Sequence, residues 1–116
     1  MPEQGPIRRG DVVIVRLDPA EGHEMTKTRP AVVVQNDVGN EHSGTTIVAP
    51  ATGTHRGYPF EVAVDAADSP FETDSSIRCD QLRVVSIDER IQGVVGRLDD
   101  ETMAAVDDAL RVSLGL

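Results

Sequence analysis

The sequence predicts a mainly β domain, a small twisted barrel of short strands with a C-terminal α-helix. Three observations predict it. Valine recurs in short runs, as in Val12-Val13-Ile14-Val15, Val32-Val33-Val34 and Val62-Ala63-Val64, and branched side chains suit a pleated strand. The runs lie at short intervals between clusters of turn-forming residues, as in small β proteins. Helical spacing takes over only after Asp99. With one Tyr, two Phe and no Trp, the core must be built of Val, Leu, Ile and Ala.

Asp11 to Leu17 is the first strand, apolar through its middle and so expected to be buried on both faces. Asp18-Pro19 ends it. Residues 18–28 form a polar loop of 11 residues. Loops that long in a small domain usually carry function or move. Ala31 to Gln35 reads as the second strand, and Asn36 to Asn40 is rich in turn formers. Thr45 to Ala49 is the third strand, and Phe60 to Val64 alternates as a half-buried fourth. Asp74-Ser75-Ser76 reads as a turn, and Ser76 to Val85 as one or two bent strands. Ser86-Ile87-Asp88-Glu89 matches a capping box and predicts a helical turn through Arg90. Val94-Val95 is a last short strand between Gly93 and Gly96. Asp99 is a good N-cap, and Asp100 and Glu101 suit the positive end of a helix. Met103, Val106, Ala109, Leu110 and Val112 to Leu114 then follow helical spacing in a helix over 99–113, expected to pack on the sheet.

A length of 116 residues suits one domain. Residues 1–8 read as a flexible lead-in and 9–116 as a single domain without repeats or linkers. No apolar run approaches the ~20 residues of a membrane helix. The N-terminus lacks the charged-then-apolar layout of a signal. The single Cys79 cannot form an internal disulfide or hold zinc alone. The expected compartment is therefore a reducing cytoplasm. The formal net charge is −9, from 20 acidic and 11 basic residues, of which ten are Arg and only Lys27 is lysine. This argues against a broad nucleic-acid coat, which needs a basic surface. It leaves room for a small basic site, for which Lys27, Arg29 and Arg56 are candidates.

Arg29 stands at the mouth of the second strand, and Pro30 restricts it to extended backbone. Its guanidinium presents planar, charged donors that match two phosphate oxygens. Thr52 closes the apolar run from Ile47 to Ala51, and its hydroxyl can donate to a developing oxyanion. If the two strands are neighbours, both groups converge on one phosphate. Glu24, in the loop five residues before Arg29, can position substrate, assist proton transfer or pair with Arg29. His23, His42 and His55 lie in polar segments, and no spacing brings two together. Arg56 and Tyr58 supply a cation for phosphate and a ring for base stacking. Asp80-Gln81 either bonds base edges or holds a strand bend, and Cys79 reads as packing. No spacing of metal ligands, phosphate-binding glycine loop or nucleophile elbow is present, so no cofactor is expected.

The chain resembles the MazF/PemK-type toxins. The resemblance is carried by Arg9-Gly10-Asp11-Val12-Val13, Leu17-Asp18-Pro19, Gly22-His23-Glu24 and Arg29-Pro30-Ala31-Val32-Val33-Val34. It continues through Val48-Ala49-Pro50-Ala51-Thr52, Gly57-Tyr58-Pro59-Phe60-Glu61-Val62 and Asp80-Gln81-Leu82-Arg83 to the final helix, covering residues 8–116. It implies an SH3-like barrel of the CcdB/PemK type and a homodimer with RNA crossing a groove at its interface. It also implies metal-independent, sequence-specific cleavage of single-stranded RNA to 2′,3′-cyclic phosphate and 5′-hydroxyl ends. The family's catalytic arginine, threonine and loop glutamate fall on Arg29, Thr52 and Glu24. The RNA contacts expected alongside them are Lys27, Thr28, Arg56, Tyr58 and Gln81. The resemblance makes the 18–28 loop a flap and implies a cognate antitoxin whose disordered acidic tail fills the RNA groove. The chain departs from the family pattern in following Glu24 with Met25-Thr26-Lys27-Thr28. Two other readings share the barrel: a CcdB-type toxin that binds DNA gyrase without cutting, and an inactive module that only binds an antitoxin.

Overall fold

The computed structural model describes residues 6–116. Along the chain run β1 (Asp11–Arg16), β2 (Thr28–Val33), α1 (Asp37–His42), β3 (Thr45–Thr52) and β4 (Glu61–Val64). After a 3-10 turn at Ala66–Asp68 come β5 (Ser75–Arg78), β6 (Arg83–Ser86), α2 (Ile87–Arg90), β7 (Ile91–Arg97) and α3 (Asp100–Leu114). The strands pair antiparallel in the order β4-β5-β3-β2-β1-β7, with β6 also on β3.

The longest strand, β3, joins the two parts of the sheet. Its first half, Thr45 to Val48, pairs with β6, and its last residues, Ala51 and Thr52, pair with β5. Its other edge takes β2. The outer strands β4 and β7 do not pair with each other, so the sheet stays open where the sequence predicted a barrel.

Both faces of the sheet are covered. One core contains Val12, Val32, Ala49, Ala51 and Ile77 with Val106 and Ala109 of α3, and Met103 and Leu110 pack against it. The other contains Val13, Val15, Leu17, Ala31, Val33, Val48, Val85 and Ile91. β1 therefore feeds both cores, which is why its sequence is apolar without strict alternation. Ile7, 5% exposed, belongs to the second core. Arg9 donates its backbone N–H to Asp37 at 2.7 Å and pairs with Asp107 at 2.6 Å. Of the predicted lead-in, residues 1–5 lie outside the described residues, whereas Ile7 is packed.

Several element boundaries differ from the sequence reading. β2 starts at Thr28 and not Ala31, because Thr28, Arg29 and Pro30 pair with Arg16, Val15 and Ile14 of β1. β3 runs on to Thr52 because β5 pairs with its end. Ser76 to Val85 holds two strands, as one of the expected alternatives, but the first begins at Ser75, so Ser75 and Ser76 lie in β5 and not in a turn, and Ser76 is buried. The Asn36–Asn40 stretch holds a helix in place of a simple turn. Asn36 Oδ1 caps it from Gly39 N–H at 2.8 Å, and buried Asn40 Oδ1 accepts from Thr46 Oγ1 at 2.6 Å. A cap and a buried amide fix α1, and neither leaves an apolar period to read. β7 is longer than Val94-Val95, with two register shifts against β1. Gly96 sits under Pro70, and an added Cβ would lie 2.5 Å from the proline Cβ. The caps of α2 and α3 are as expected, Ser86 accepting from Glu89 N–H and Asp99 from Thr102 N–H. Among the described residues no helix is long and apolar enough to cross a membrane.

Two predictions come from this packing. Ile77 is fully buried between the sheet and α3, so Ile77→Ala should cost about 2–5 kcal/mol. The check is a lower urea midpoint with an unchanged slope. The carboxyls of Asp37, Asp80 and Asp99 lie below the ordinary 3.8. The largest causes are the Arg9 N–H, the Arg78 guanidinium and the Thr102 hydroxyl, respectively. A depressed folded pKa contributes stability that is complete above the unfolded value and lost as pH falls through the folded one. The thermal midpoint should therefore drop as pH is lowered through and below 3.8. Asp80→Asn should make that acid limb shallower.

Candidate active site

The β2–β3 ladder pairs Ala31 with Pro50, Val32 with Ala49 and Val33 with Val48. The pairing ends at Ala31 and Pro50; two residues further along each strand stand Arg29, paired with Val15 of β1, and Thr52, paired with Ser76 of β5. Side chains alternate along a strand, so Arg29, Ala31 and Val33 leave β2 on one face. Thr52, Pro50 and Val48 leave β3 on that same face. Ala31, Val33 and Val48 are buried in the second core. The face that carries this core thus ends in a guanidinium and a hydroxyl.

Those two groups line one open cavity of about 270 Å³, together with Lys27, Thr28, Gly53, Thr73 and Ser75. A second cavity of about 380 Å³ shares Thr28, Arg29, Thr73 and Ser75 and runs past Ile14 and Phe71 to Val95. Arg29 therefore stands at the junction of a groove. It is half-buried, and its Nε donates to the Thr26 carbonyl at 2.7 Å. Among the described residues no carboxylate lies within ion-pair distance of it. Asp80 pairs with Arg78, accepting from Nε at 2.8 Å and Nη2 at 2.6 Å. The Glu24 carboxylate accepts the Glu21 N–H at 3.0 Å. A charged, forked donor facing an open cavity is a site for an oxyanion.

Glu24 does not line that cavity. It borders a neighbouring one of about 160 Å³ with Leu17, Met25, Pro50, Gln81 and Arg83. Pro50 lies between the two on β3. Gln81 holds the loop, since its Oε1 accepts the Met25 N–H at 3.2 Å and its Nε2 donates to the His23 carbonyl at 3.3 Å. Lys27 closes the loop at φ 71°, a left-handed conformation costing about 1–2 kcal/mol outside glycine. Two bonds hold it there: its N–H donates to Asp18 Oδ1 at 3.0 Å, and its carbonyl accepts from Leu17 at 2.9 Å. Backbone strain of this kind gathers at functional sites.

Arg56 and Tyr58 lie on the exposed β3–β4 connection and border neither cavity. The Arg56 backbone N–H is held by buried Glu61 at 3.2 Å. Tyr58, 54% exposed, stacks on Phe60 at 5.1 Å and 6°. His55 Nδ1 lies 2.9 Å from Ser76 Oγ, while His23 and His42 are exposed. Cys79 is fully buried, and burial, helped by Asp80, pushes its thiol up to about 11. It is packing and no nucleophile, as its sequence context suggested.

The structure thus brings Arg29, Thr52, Lys27 and Thr28 together, places Glu24 and Gln81 next door, and leaves Arg56 and Tyr58 apart. The sequence reading missed Thr73 and Ser75, which border both cavities on the Arg29 side. The alternation of Ser75 with Ile77 was the signal for a strand there. It also missed Arg83, which donates to the carbonyls of Leu17 and Pro19.

Residues 8–114 match the family model described as PemK-like, MazF-like toxin of type II toxin-antitoxin system. The chain is 41% identical over 112 residues to "Endoribonuclease EndoA" of Bacillus subtilis (strain 168), covering 95% of this chain and 96% of that protein. It is similar in structure to a mycobacterial endoribonuclease solved in complex with its cognate antitoxin, with TM-score 0.80 and 25% identity. That match covers 95% of this chain and 96% of the other. MazF from Deinococcus radiodurans shares the fold, with TM-score 0.82 and 24% identity over 97% of this chain and all of that one.

The docking of the loop by Gln81 can be measured. Gln81→Ala removes two bonds worth about 0.5–1.5 kcal/mol each, and the loss should fall on local opening. Limited proteolysis should cut faster within residues 18–28, with little change in the thermal midpoint.

Proposed function

The chain belongs to the PemK-like, MazF-like toxin family of type II toxin–antitoxin systems, and we propose that it is an endoribonuclease toxin. It cuts single-stranded RNA at defined sequences, without a metal ion, leaving 2′,3′-cyclic phosphate and 5′-hydroxyl ends. The observation that carries this reading is that Arg29 and Thr52, from neighbouring strands, line one cavity.

The ribose 2′-oxygen attacks the adjacent phosphorus in line. A new P–O2′ bond forms while the P–O5′ bond breaks. The 2′-hydroxyl proton is lost, and the departing 5′-oxygen gains one. Arg29 neutralises the charge on the non-bridging oxygens as it builds, and its fork geometry suits two of them. Thr52 donates to one phosphoryl oxygen and fixes the orientation of the group. Lys27 and Thr28, on the same cavity, hold the flanking backbone. Glu24 positions substrate or assists proton transfer once the loop releases its carboxylate from the Glu21 N–H. Arg56 and Tyr58 grip phosphate and stack a base from the β3–β4 connection. Gln81 reaches RNA only by giving up its bonds to the loop. Single strands are the substrate because their bases can be splayed and read by edge. The protein works in the cytoplasm as a homodimer, restrained by an antitoxin whose acidic tail competes with RNA for the groove.

Digestion of a long RNA in EDTA, with mapping of the cut ends, tests activity, metal independence, end chemistry and sequence preference together. Arg29→Ala and Thr52→Ala should each lower the cleavage rate by ~10²–10³ without altering the fold. An Arg29→Ala protein that cuts like its parent would sink the assignment. Inhibition of gyrase with RNA left whole would identify the CcdB-type activity instead.

A further inference from the structure

Four arginines are ion-paired among the described residues: Arg9, Arg78, Arg97 and Arg111. In a chain with 20 acidic residues, an arginine away from any carboxylate needs a reason. Three such arginines, Arg16, Arg83 and Arg90, meet at one place. Arg90 Nη1 donates to the carbonyls of Arg16 at 2.9 Å and Asp18 at 3.0 Å. Arg16 Nη1 donates to the same Asp18 carbonyl at 2.9 Å, and its Nη2 to that of Glu89 at 3.3 Å. Arg83 reaches the carbonyls of Leu17 and Pro19. All three are half-buried. Burial, and then repulsion from Arg83 and Arg16, pulls the Arg90 pKa below its ordinary value.

Carbonyl oxygens satisfy the N–H directions but leave the positive charge uncompensated. An anion would supply what is missing. Within the cluster, Arg83 lies on the same face of the sheet as Thr52, while Arg16, at the end of β1, leaves it on the opposite face and meets the others at the strand end. Arg83 pairs with Val48 in the β3–β6 ladder, so it leaves β6 on the face shared by Val48, Pro50 and Thr52. Along β3, Val48 is four residues from Thr52, roughly 13 Å at the usual strand rise. Arg83 and Pro50 border one cavity next to that of Arg29 and Thr52. Pro50 itself is buried, so a single strand with one phosphate at Arg29 and Thr52 would reach Arg83 over the cavity that Arg83 shares with Gln81 and the 18–28 loop, within a few nucleotides.

We infer that Arg16, Arg83 and Arg90 form a second phosphate-binding subsite, which grips the RNA strand away from the scissile linkage. This rests on the nuclease reading above. The subsite contributes affinity, while positioning of the scissile phosphate and bond breaking stay with Arg29 and Thr52. It gives an acidic protein a local cationic track where its overall charge repels RNA.

The test measures binding of a single-stranded RNA oligonucleotide carrying the mapped cut sequence, with a 2′-deoxy sugar at the scissile position. Affinity is followed against salt for the parent and for Arg83→Gln, Arg90→Gln, Arg83→Lys and Arg90→Lys. Cleavage at saturating RNA and the thermal midpoint are measured on the same proteins. Each Gln variant should weaken binding and flatten the log–log salt dependence by about 0.7 for every phosphate it no longer neutralises. The Lys variants should keep the parental slope, and all four should cleave at the parental rate when saturated. Gln variants with the parental slope and only a lower thermal midpoint would make the cluster a structural clasp and overturn the inference. A lower saturated rate with an unchanged slope would overturn it too. The nuclease reading survives both outcomes. Should the parent cut no RNA, that reading fails and takes the inference with it.

Discussion

The pairing of β2 against β3 in one register governs the rest of this molecule. Val33 on Val48 and Ala31 on Pro50 bury branched and small side chains between two layers. Because both faces are buried, a slip by one residue would exchange the side chains packed in the two cores and carry Arg29 or Thr52 to the other face. The register is therefore held by apolar burial, although what it sets at its open end is polar. Two steps beyond Ala31 and Pro50, the same alternation delivers Arg29 and Thr52 to one cavity. The site inherits its geometry from the core, which gives Arg29 and Thr52 a rigid base.

The 18–28 loop is tied down differently. It carries little apolar weight beyond Met25, which packs against the second core. Its shape depends on single hydrogen bonds from Gln81, Asp18 and Leu17, and on arginine donors at its base. Such bonds open at low cost compared with a buried core. Lys27, held in a left-handed conformation, stores part of that cost at the point where the loop enters β2. The Arg29 Nε bond to the Thr26 carbonyl then links this guanidinium to the state of the loop. A partner or substrate that moves the loop acts on Arg29 through that one hydrogen bond.

Charge is distributed to match. Of the paired arginines, Arg9 and Arg97 join distant segments through Asp107 and Asp11, whereas Arg78 and Arg111 pair with near neighbours, and none of the four lines the cavities around Arg29. Arg29, Arg16, Arg83 and Arg90 have carbonyl partners or open space. A net charge of −9 is compatible with recognition of a polyanion when several cations without carboxylate partners share one region. Acidic residues elsewhere serve the fold instead: Asp37, Asp80 and Asp99 each accept a donor that stabilises their ionised form.

Local rules were enough to read the first strand, the loop, the capped helices α2 and α3, and the identity of Arg29, Thr52 and Glu24 as residues of interest. Hydrophobic period, caps and proline restrictions act over a few neighbours, and so they are written in the sequence. The extension of β2 through Arg29, the extension of β3 through Thr52 and the strand at Ser75 depend on partners far along the chain. The helix after Asn36 depends on an amide buried against Thr46. Tertiary structure alone decided that Glu24 borders a different cavity from Arg29, that Gln81 is committed to the loop, and that Arg16, Arg83 and Arg90 converge. The amino-acid sequence determines which chemical groups are available. Their distances and competing hydrogen-bond partners exist only once the strands are in register, because no local rule sets the contacts between segments distant along the chain.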